Sequence, residues 1–145
     1  MNYGIEPIRS LLSTMNDPRL DFLAHQIFAV AGASRDRSKY GNIVYRTLRQ
    51  SGRTTYAINP NSSTIESDPA YTSIKLTPQP VEALSIVTPP HISLLVVQDA
   101  IEANVRAIWF QPGAENDQAS QLARAAGLLV IDDGSCILVA LARRV

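Results

Sequence analysis

The residues with the clearest capacity for chemistry lie between positions 32 and 39. Gly32-Ala33-Ser34 follows an apolar run, and the next residues include the basic side chains Arg35, Arg37 and Lys39. Small residues let a ligand approach the backbone closely, and hydroxyl and basic groups bind anions. A helix that begins after such a loop adds the partial positive charge of its N-terminus. We therefore predict that this loop holds a pyrophosphate.

The loop lacks the signatures of two common nucleotide sites. It contains no G-x-G-x-x-G, and the second predicted strand ends at Asn59 rather than at the acidic residue that holds the ribose of NAD. The chain also has no G-x-x-x-x-G-K-[ST] segment, the signature of Walker-type hydrolysis of ATP or GTP. Both sites are therefore disfavoured, and we expect a phosphate-bearing ligand that needs no acid at its ribose.

Short apolar runs alternate with helical patterns along most of the chain. The segments predicted as strands are 27–32, 54–58, 83–88, 106–110 and 128–132. The segments predicted as helices between and after them are 43–49, 91–104, 115–126 and 136–143. Apolar strands that alternate with helices are typical of a parallel sheet covered on both faces. The predicted fold class is therefore α/β, with a doubly wound five-stranded parallel sheet.

Two parts of the chain do not follow this alternation. Residues 1–25 are predicted to be a helical extension of the main domain, which comprises residues 26–145. Apolar residues recur at helical spacing from Ile5 to Met15. Asp17-Pro18 can then start a second short helix. Residues 62–80 are polar and contain several prolines, so at most one helical turn is expected there.

Ligands of parallel α/β sheets bind where the strands end, at the carboxyl edge. Small, proline and polar residues follow all five predicted strands: Gly32-Ala33-Ser34, Asn59-Pro60, Thr88-Pro89-Pro90, Gln111-Pro112-Gly113 and Asp132-Asp133-Gly134. Turns between strands and helices favour the same residue types. The pattern therefore indicates the edge of the sheet at which to expect a ligand, without naming that ligand.

The composition limits the class of protein. The 145 residues are enough for one domain, and 46% of them are hydrophobic. Thirteen basic residues balance thirteen acidic ones, which argues against a general nucleic-acid binder. The single cysteine forms no internal disulfide, no apolar run is long enough to span a membrane, and the N-terminus does not resemble a signal peptide. We therefore expect a cytoplasmic protein that binds neither nucleic acid nor a membrane.

No catalytic residue is predicted, although several side chains have a possible chemical role. His91 begins a predicted helix, where it either faces a ligand or faces solvent. Cys136 lies near another helix start, which favours a thiolate, or is a small buried apolar residue. Asp132 and Asp133 act as bases or cap the last helix, and Trp109 is expected in the core. Histidine and cysteine do not occur at metal-ligand spacing, and no Ser-His-Asp set is proposed.

Several motifs together resemble the family of small single-domain CoA-binding proteins. They are Gly32-Ala33-Ser34-Arg35-Asp36, Lys39-Tyr40-Gly41-Asn42-Ile43-Val44, Ile58-Asn59-Pro60-Asn61, Ser85-Ile86-Val87-Thr88-Pro89-Pro90, Trp109-Phe110-Gln111-Pro112-Gly113-Ala114 and Ala125-Ala126-Gly127-Leu128. The resemblance covers residues from about 25 to 140. That family is similar to the CoA-binding domain of the succinyl-CoA synthetase α subunit, so the resemblance implies a Rossmann-like three-layer sandwich and coenzyme A or an acyl-CoA as ligand.

The resemblance also implies a set of ligand-contacting residues. The phosphates would lie against the loop, the nucleotide and pantetheine would follow the other strand ends, and the ribose phosphate would meet Arg35, Arg37 or Lys39. The full set is Gly32, Ala33, Ser34, Arg35, Arg37, Lys39, Tyr40, Gly41, Asn59, Pro60, Thr88, Pro89, Pro90, Gln111, Pro112 and Gly113.

Two departures from related proteins limit what is carried over. Many members end the fifth strand with Asp-Arg-Cys, whereas this chain has Asp132-Asp133-Gly134-Ser135-Cys136. The synthetase also has a second domain with a phosphorylated histidine that this sequence does not contain, so synthetase chemistry is not implied.

Three functions are therefore considered. The favoured one is a non-catalytic carrier, sensor or subunit that binds CoA or an acyl-CoA, with a homodimer as its candidate assembly. The second is an NADP-binding oxidoreductase or redox sensor, with Arg35 and Arg37 on the 2′-phosphate. The third is an interaction protein that assembles through its N-terminal helices.

Overall fold

The structure, a computed structural model, describes residues 17–143. The helix predicted from Ile5 to Met15 lies outside the described residues. Within residues 17–143, no helix has the length and apolar character needed to cross a membrane.

Seven strands and five α-helices make up the described fold. The strands are β1 (Ile27–Ala31), β2 (Thr54–Ile58), β3 (Thr64–Ile65), β4 (Asp68–Tyr71), β5 (Ala83–Ile86), β6 (Ala107–Phe110) and β7 (Leu129–Ile131). The helices are α1 (Pro18–Leu23), α2 (Tyr40–Gln50), α3 (Pro90–Glu102), α4 (Asp117–Ala125) and α5 (Ile137–Ala142), with a 3₁₀ turn at Ile74–Leu76. The five strands predicted from apolar runs are all present, within two residues of the predicted bounds.

The sheet has the order β3-β4-β2-β1-β5-β6-β7, and every neighbouring pair except β3 and β4 is parallel. The six parallel strands therefore follow the 3-2-1-4-5-6 order of the doubly wound dinucleotide-binding fold. The order reverses between β1 and β5, where Ala31 is in register with Ile86. This reversal opens a crevice at the carboxyl ends of these two strands, and the predicted loop begins at that crevice.

Two hydrophobic cores cover the two faces of the sheet. On one face, α1, α2 and α5 contribute Phe22, Leu48 and Ile137 to a core around Trp109, which is fully buried. On the other face, α3 and α4 contribute small and β-branched side chains, such as Val97. The predicted doubly wound α/β class is confirmed, because both faces of the parallel sheet are covered by helices.

The prediction of five strands was wrong by two, because residues 62–80 contain β3 and β4 as well as the expected helical turn. β4 adds to the sheet beyond β2, where Ala57 is in register with Ala70. β3 pairs antiparallel with β4 through only two residue pairs. Such short, polar edge strands give little apolar signal in the sequence, and Pro69 inside β4 is tolerated because it lies near the edge of the sheet.

Candidate functional site

A cavity of about 280 Å³ lies at the carboxyl edge of the sheet, where the strand order reverses. Gly32, Asn59, Pro60 and Thr88, which are the residues that follow β1, β2 and β5, line it. The structure therefore brings together one residue or more from three of the five predicted strand ends. This is the place at which doubly wound sheets bind their ligands.

The cavity is lined mostly by apolar residues, together with a smaller number of polar ones. Ile58, Ile74 and Val96 are among the apolar residues that line it, and Asn61 and Asp99 are among the polar ones. Apolar walls with a few polar groups are typical of sites that bind an organic ligand and orient it by hydrogen bonds. The volume is enough for one part of a large nucleotide, and the remainder would lie along the open edge.

Asn59 connects the cavity to the predicted phosphate loop. Its Nδ2 donates a hydrogen bond to the carbonyl oxygen of Ala33, 2.8 Å away. Its Oδ1 accepts one from the backbone N–H of Asn61 at 2.7 Å. Asn59, which stands where NAD-binding sites have an acid, therefore holds the loop in place and stabilises the turn after β2.

The loop packs tightly against the end of β1 and the start of α2. A Cβ at Gly32 would lie 2.2 Å from the carbonyl oxygen of Val87, and one at Gly41 would lie 2.0 Å from the carbonyl oxygen of Gly32. Gly32 also has a φ of +88°, which side chains rarely tolerate. Both glycines are therefore required by the backbone, whatever their part in ligand contact.

The start of α2 is open to an anion. No side chain caps it, because the N-cap residue is Lys39, whereas Asp17 caps α1 and Asn116 caps α4. The first turn of a helix has N–H groups without a partner inside the helix, and these groups carry partial positive charge. The side chains of Arg35 and Lys39 are exposed around it. The arrangement favours a phosphate at the position that the sequence predicts.

Hydrogen bonds within the loop fix its shape. The backbone N–H of Asp36 donates to Ser34 Oγ at 3.1 Å, and the N–H and hydroxyl of Ser38 donate to Asp36 Oδ1 at 2.9 and 2.7 Å. The bonds from Ser38 hold the pKa of Asp36 below its usual value. Ser34 is therefore partly used in shaping the loop, and the positive charge of the loop is reduced by one ionised carboxylate.

A buried asparagine that the prediction did not include fastens the loop to α2. Asn42 is fully buried in the first turn of the helix. Its Nδ2 donates to the carbonyl oxygen of Ser34 at 2.7 Å and to Glu66 Oε2 at 3.1 Å, and its Oδ1 accepts from Arg46 Nε at 2.6 Å. A polar residue on the buried side of an amphipathic helix was the signal for Asn42. Glu66 gave no comparable signal, because it lies in the segment predicted to be irregular.

Gln111 is fully buried at the end of β6, on the side of the sheet covered by α2 and α5. Its Oε1 accepts hydrogen bonds from the backbone N–H of Ile137 at 2.8 Å and from the hydroxyl of Tyr40 at 3.2 Å. The Tyr40 hydroxyl also lies 2.5 Å from Cys136 Sγ. Burial, then the contact with Cys136, raises the pKa of Tyr40 well above its usual value. The predicted residues Tyr40 and Gln111 thus meet each other and Cys136 in a cluster that joins three elements.

The remaining predicted ligand contacts are exposed. Pro89 and Pro90 form the start of α3, again without a side-chain cap, and Pro112 and Gly113 form the turn after β6. Their contact with a ligand stays a prediction.

The side chains with a possible chemical role have structural partners or face solvent. Asp132 accepts two hydrogen bonds from Arg124 at 2.9 Å, and this pairing holds its pKa below the usual value. Asp133 accepts from the backbone N–H of Ser135 at 3.0 Å, before α5 begins. His91 is exposed on the first turn of α3. Within residues 17–143, no group of three His, Cys, Asp or Glu side chains is placed to hold a metal ion.

The sequence of the chain matches a known protein family. The sequence model of a CoA binding domain matches residues 26–142. An ADP-forming acetate–CoA ligase of Archaeoglobus fulgidus is 34% identical over 74 residues, which are 51% of this chain and 11% of the ligase. The match therefore spans about a ninth of the length of that relative.

Two solved structures are similar over most of the chain. A hypothetical protein from Pyrococcus horikoshii has a TM-score of 0.83 at 27% identity, covering 88% of this chain and 89% of its own. A conserved hypothetical protein from Pyrococcus furiosus has a TM-score of 0.74 at 35% identity, covering 80% of this chain and 99% of its own. The Rossmann-like fold is therefore shared with both of these proteins, in each case over 80% or more of this chain.

Proposed function

Because this chain belongs to the CoA binding domain family, we propose that it binds coenzyme A or an acyl-CoA at the carboxyl edge of its sheet, as a non-catalytic carrier, sensor or subunit. The observation that carries the proposal is the cavity where the strand order reverses, joined through Asn59 to a basic loop and an uncapped helix start. CoA is a nucleotide with a pyrophosphate and a further phosphate on its ribose, and the site offers a separate environment for each part.

The adenine ring is assigned to the cavity. Its apolar walls, including Ile58 and Val96, suit the two faces of a heterocycle. Asp99 lines the cavity and pairs with Lys75, whose Nζ is 3.6 Å from Asp99 Oδ1. A carboxylate at this position can accept a hydrogen bond from an exocyclic amino group. The base would then be oriented with its sugar toward the loop.

The pyrophosphate is assigned to the loop and to the first turn of α2. The N–H groups of the uncapped helix start bind anions without any specific side chain. The close contact of Gly41 with Gly32 keeps this helix start directly above the end of β1. A ligand that enters the cavity with its base therefore has its phosphates within reach of these N–H groups.

The ribose phosphate is assigned to the basic side chains of the loop. Asn59 takes the place at which NAD-binding sites have an acid, so no carboxylate stands directly at the end of β2 to repel a phosphorylated ribose. This feature supports CoA, and equally supports NADP as the alternative ligand of an oxidoreductase or redox sensor. The two ligands differ in the position of the ribose phosphate and in the pantetheine arm.

Isothermal titration calorimetry on the full chain tests the proposal with CoA, acetyl-CoA, NADPH, NAD and ATP in turn. We expect CoA species to bind and the other three to bind more weakly or not at all. Arg35→Ala should weaken CoA binding by about tenfold, because it removes a charged donor to phosphate. Arg106→Ala is the matched control, since this exposed arginine precedes β6 at the opposite edge of the sheet. Absence of binding by any CoA species contradicts the proposal, and tighter binding of NADPH than of CoA favours the alternative.

A further inference from the structure

The turn between β3 and β4 places an acidic side chain beside the basic loop. Glu66 and Ser67 have φ angles of 53° and 66°. Two consecutive residues with positive φ occur in type I′ hairpin turns, where Asn and Gly are preferred because a Cβ is disfavoured. A glutamate in such a turn carries a conformational cost, and that cost is offset by what its side chain contacts.

The Glu66 carboxylate contacts both the loop and the helix that follows it. Its Oε2 accepts a hydrogen bond from Asn42 Nδ2 at 3.1 Å and lies 3.3 Å from Arg37 Nε. The side chain of Glu66 is 14% exposed, whereas that of Arg37 is 65% exposed. The acid is therefore held in a fixed position, and the guanidinium can turn toward another anion at the surface.

Several positive charges surround this carboxylate. The hydrogen bond from Asn42 is the main cause that holds the pKa of Glu66 below its usual value, and Arg37, Arg46 and Arg49 act in the same direction. Arg46 Nη2 also donates to the backbone carbonyl of Arg37 at 3.2 Å, and Arg49 Nη1 donates to that of Glu66 at 3.3 Å. Glu66 is thus ionised at neutral pH and reduces the positive charge that the loop offers to a ligand.

We infer that Glu66 limits the preference of the site for a ligand with a phosphorylated ribose, because Glu66 and the ribose phosphate of the ligand compete for Arg37. The inference rests on the proposed function. It identifies Arg37 as the basic residue that distinguishes ligands with and without a ribose phosphate, and Glu66 as the group that competes with that phosphate. A ribose phosphate carries more charge than a carboxylate and accepts a bidentate pair from arginine, so it can displace Glu66. A ligand without this phosphate leaves the Arg37–Glu66 pair intact.

Two substitutions distinguish competition for Arg37 from a purely structural role of Glu66 in holding the loop. Glu66→Gln keeps an oxygen that can accept from Asn42 but removes the charge. It should tighten CoA binding roughly three- to fivefold, the size of a surface ion pair, and change the binding of dephospho-CoA by less than twofold. Arg37→Gln should weaken CoA binding to the level of dephospho-CoA.

The experiment is calorimetric titration of the full chain and its variants with CoA and with dephospho-CoA, which lacks the ribose phosphate. Asp21→Asn is the matched control, because it removes one exposed negative charge from α1, which leads into the opposite end of β1, and it should leave both affinities unchanged. Equal changes for both ligands, or weaker CoA binding by Glu66→Gln, would overturn the inference while the proposed function stands. If the original chain binds neither ligand, the proposed function itself fails. Arg37 is largely exposed, so Arg37→Gln provides the test even if Glu66→Gln does not fold.

Discussion

The first turn of α2 rests directly on the end of β1, because Gly41 packs against the carbonyl of Gly32 with room for no side chain. A Cβ at Gly41 would lie 2.0 Å from that oxygen. Both atoms belong to the backbone, so neither can move away by a change of rotamer. The distance between the phosphate loop and the sheet is therefore set by a glycine pair.

Gly41→Ala should push α2 away from β1, and the variant protein should therefore be less stable and bind its ligand more weakly. We expect a loss of about 1–3 kcal/mol in the free energy of unfolding, the usual cost of overpacking. Urea unfolding and CoA titration measure the two effects. Gly127→Ala is the control, since Gly127 has a φ of +87° but open space around its Cα. It should cost about 1–2 kcal/mol through backbone strain alone and leave affinity unchanged. Unaltered CoA binding by a folded Gly41→Ala variant would contradict the assignment of this helix start to the phosphates.

Asn42→Ala should release the loop from the helix. The substitution removes the donor to the carbonyl of Ser34 and the partner of Arg46, both from a fully buried position. Loss of buried hydrogen bonds typically costs roughly 1–3 kcal/mol. Faster hydrogen exchange confined to residues 33–39 would distinguish this local release from global destabilisation. Thr47→Ala, farther along α2, removes only a hydroxyl that bonds within the helix and should leave exchange in the loop unchanged.

The start of β1 should give the protein an acid-sensitive contribution to stability. Glu82 Oε1 accepts from the backbone N–H groups of Gln26 and Ile27, at 2.9 and 3.2 Å, and the bond from Gln26 is the first cause that lowers its pKa. A lowered pKa in the folded state means that this stabilisation is complete above the unfolded value of 4.5 and is lost as the pH falls below it. In Glu82→Gln, unfolding free energy should depend less on pH between about 5 and 3. The same slope as in the original chain would show that other carboxylates cause the acid sensitivity.

Trp109→Phe should destabilise the protein without altering the ligand site. Trp109 is fully buried, donates from Nε1 to the carbonyl oxygen of Ser135 at 3.0 Å, and packs edge-on against Phe22. We expect a loss on the order of 2 kcal/mol from the smaller ring and the unpaired carbonyl. Thermal unfolding measures the loss, and CoA titration of the folded variant should match that of the original chain. A weaker affinity would contradict the prediction and show that packing around Trp109 also determines the geometry of the site.

The strands that could be predicted from the sequence are those buried on both faces. Ala83–Ile86 and Ala107–Phe110 are fully buried because helices cover both of their sides, and all of their residues except Ser85 are apolar. β3 and β4 were missed because they lie at the edge, where Thr64 and Pro69 face little of the core and give no apolar pattern. The predicted family and the α/β class are confirmed, since both depend on the buried strands and on the loops that follow them.

The candidate site could be located from the sequence, but its side-chain orientations could not. Gly32, Asn59 and Thr88 follow strands, so the carboxyl edge of a parallel sheet brings them together. Gln111 also follows a strand, yet its carboxamide is fixed by Ile137, which is 26 residues farther along the chain. Such a contact depends on how α5 packs against the sheet, and no local sequence pattern indicates it. Glu66 was missed for the same reason, because its side-chain partners Asn42 and Arg37 lie on α2 and in the loop before it.

The β3–β4 hairpin also affects how this chain behaves in a concentrated solution. A parallel strand at the edge of a sheet offers unpaired N–H and C=O groups to any other extended chain, and this is a common route to aggregation. Here β4 is covered by β3, which has only two residues and runs in the opposite direction. Pro69 further removes one donor from this edge. The hairpin that carries Glu66 therefore also protects the edge of the sheet against the addition of foreign strands.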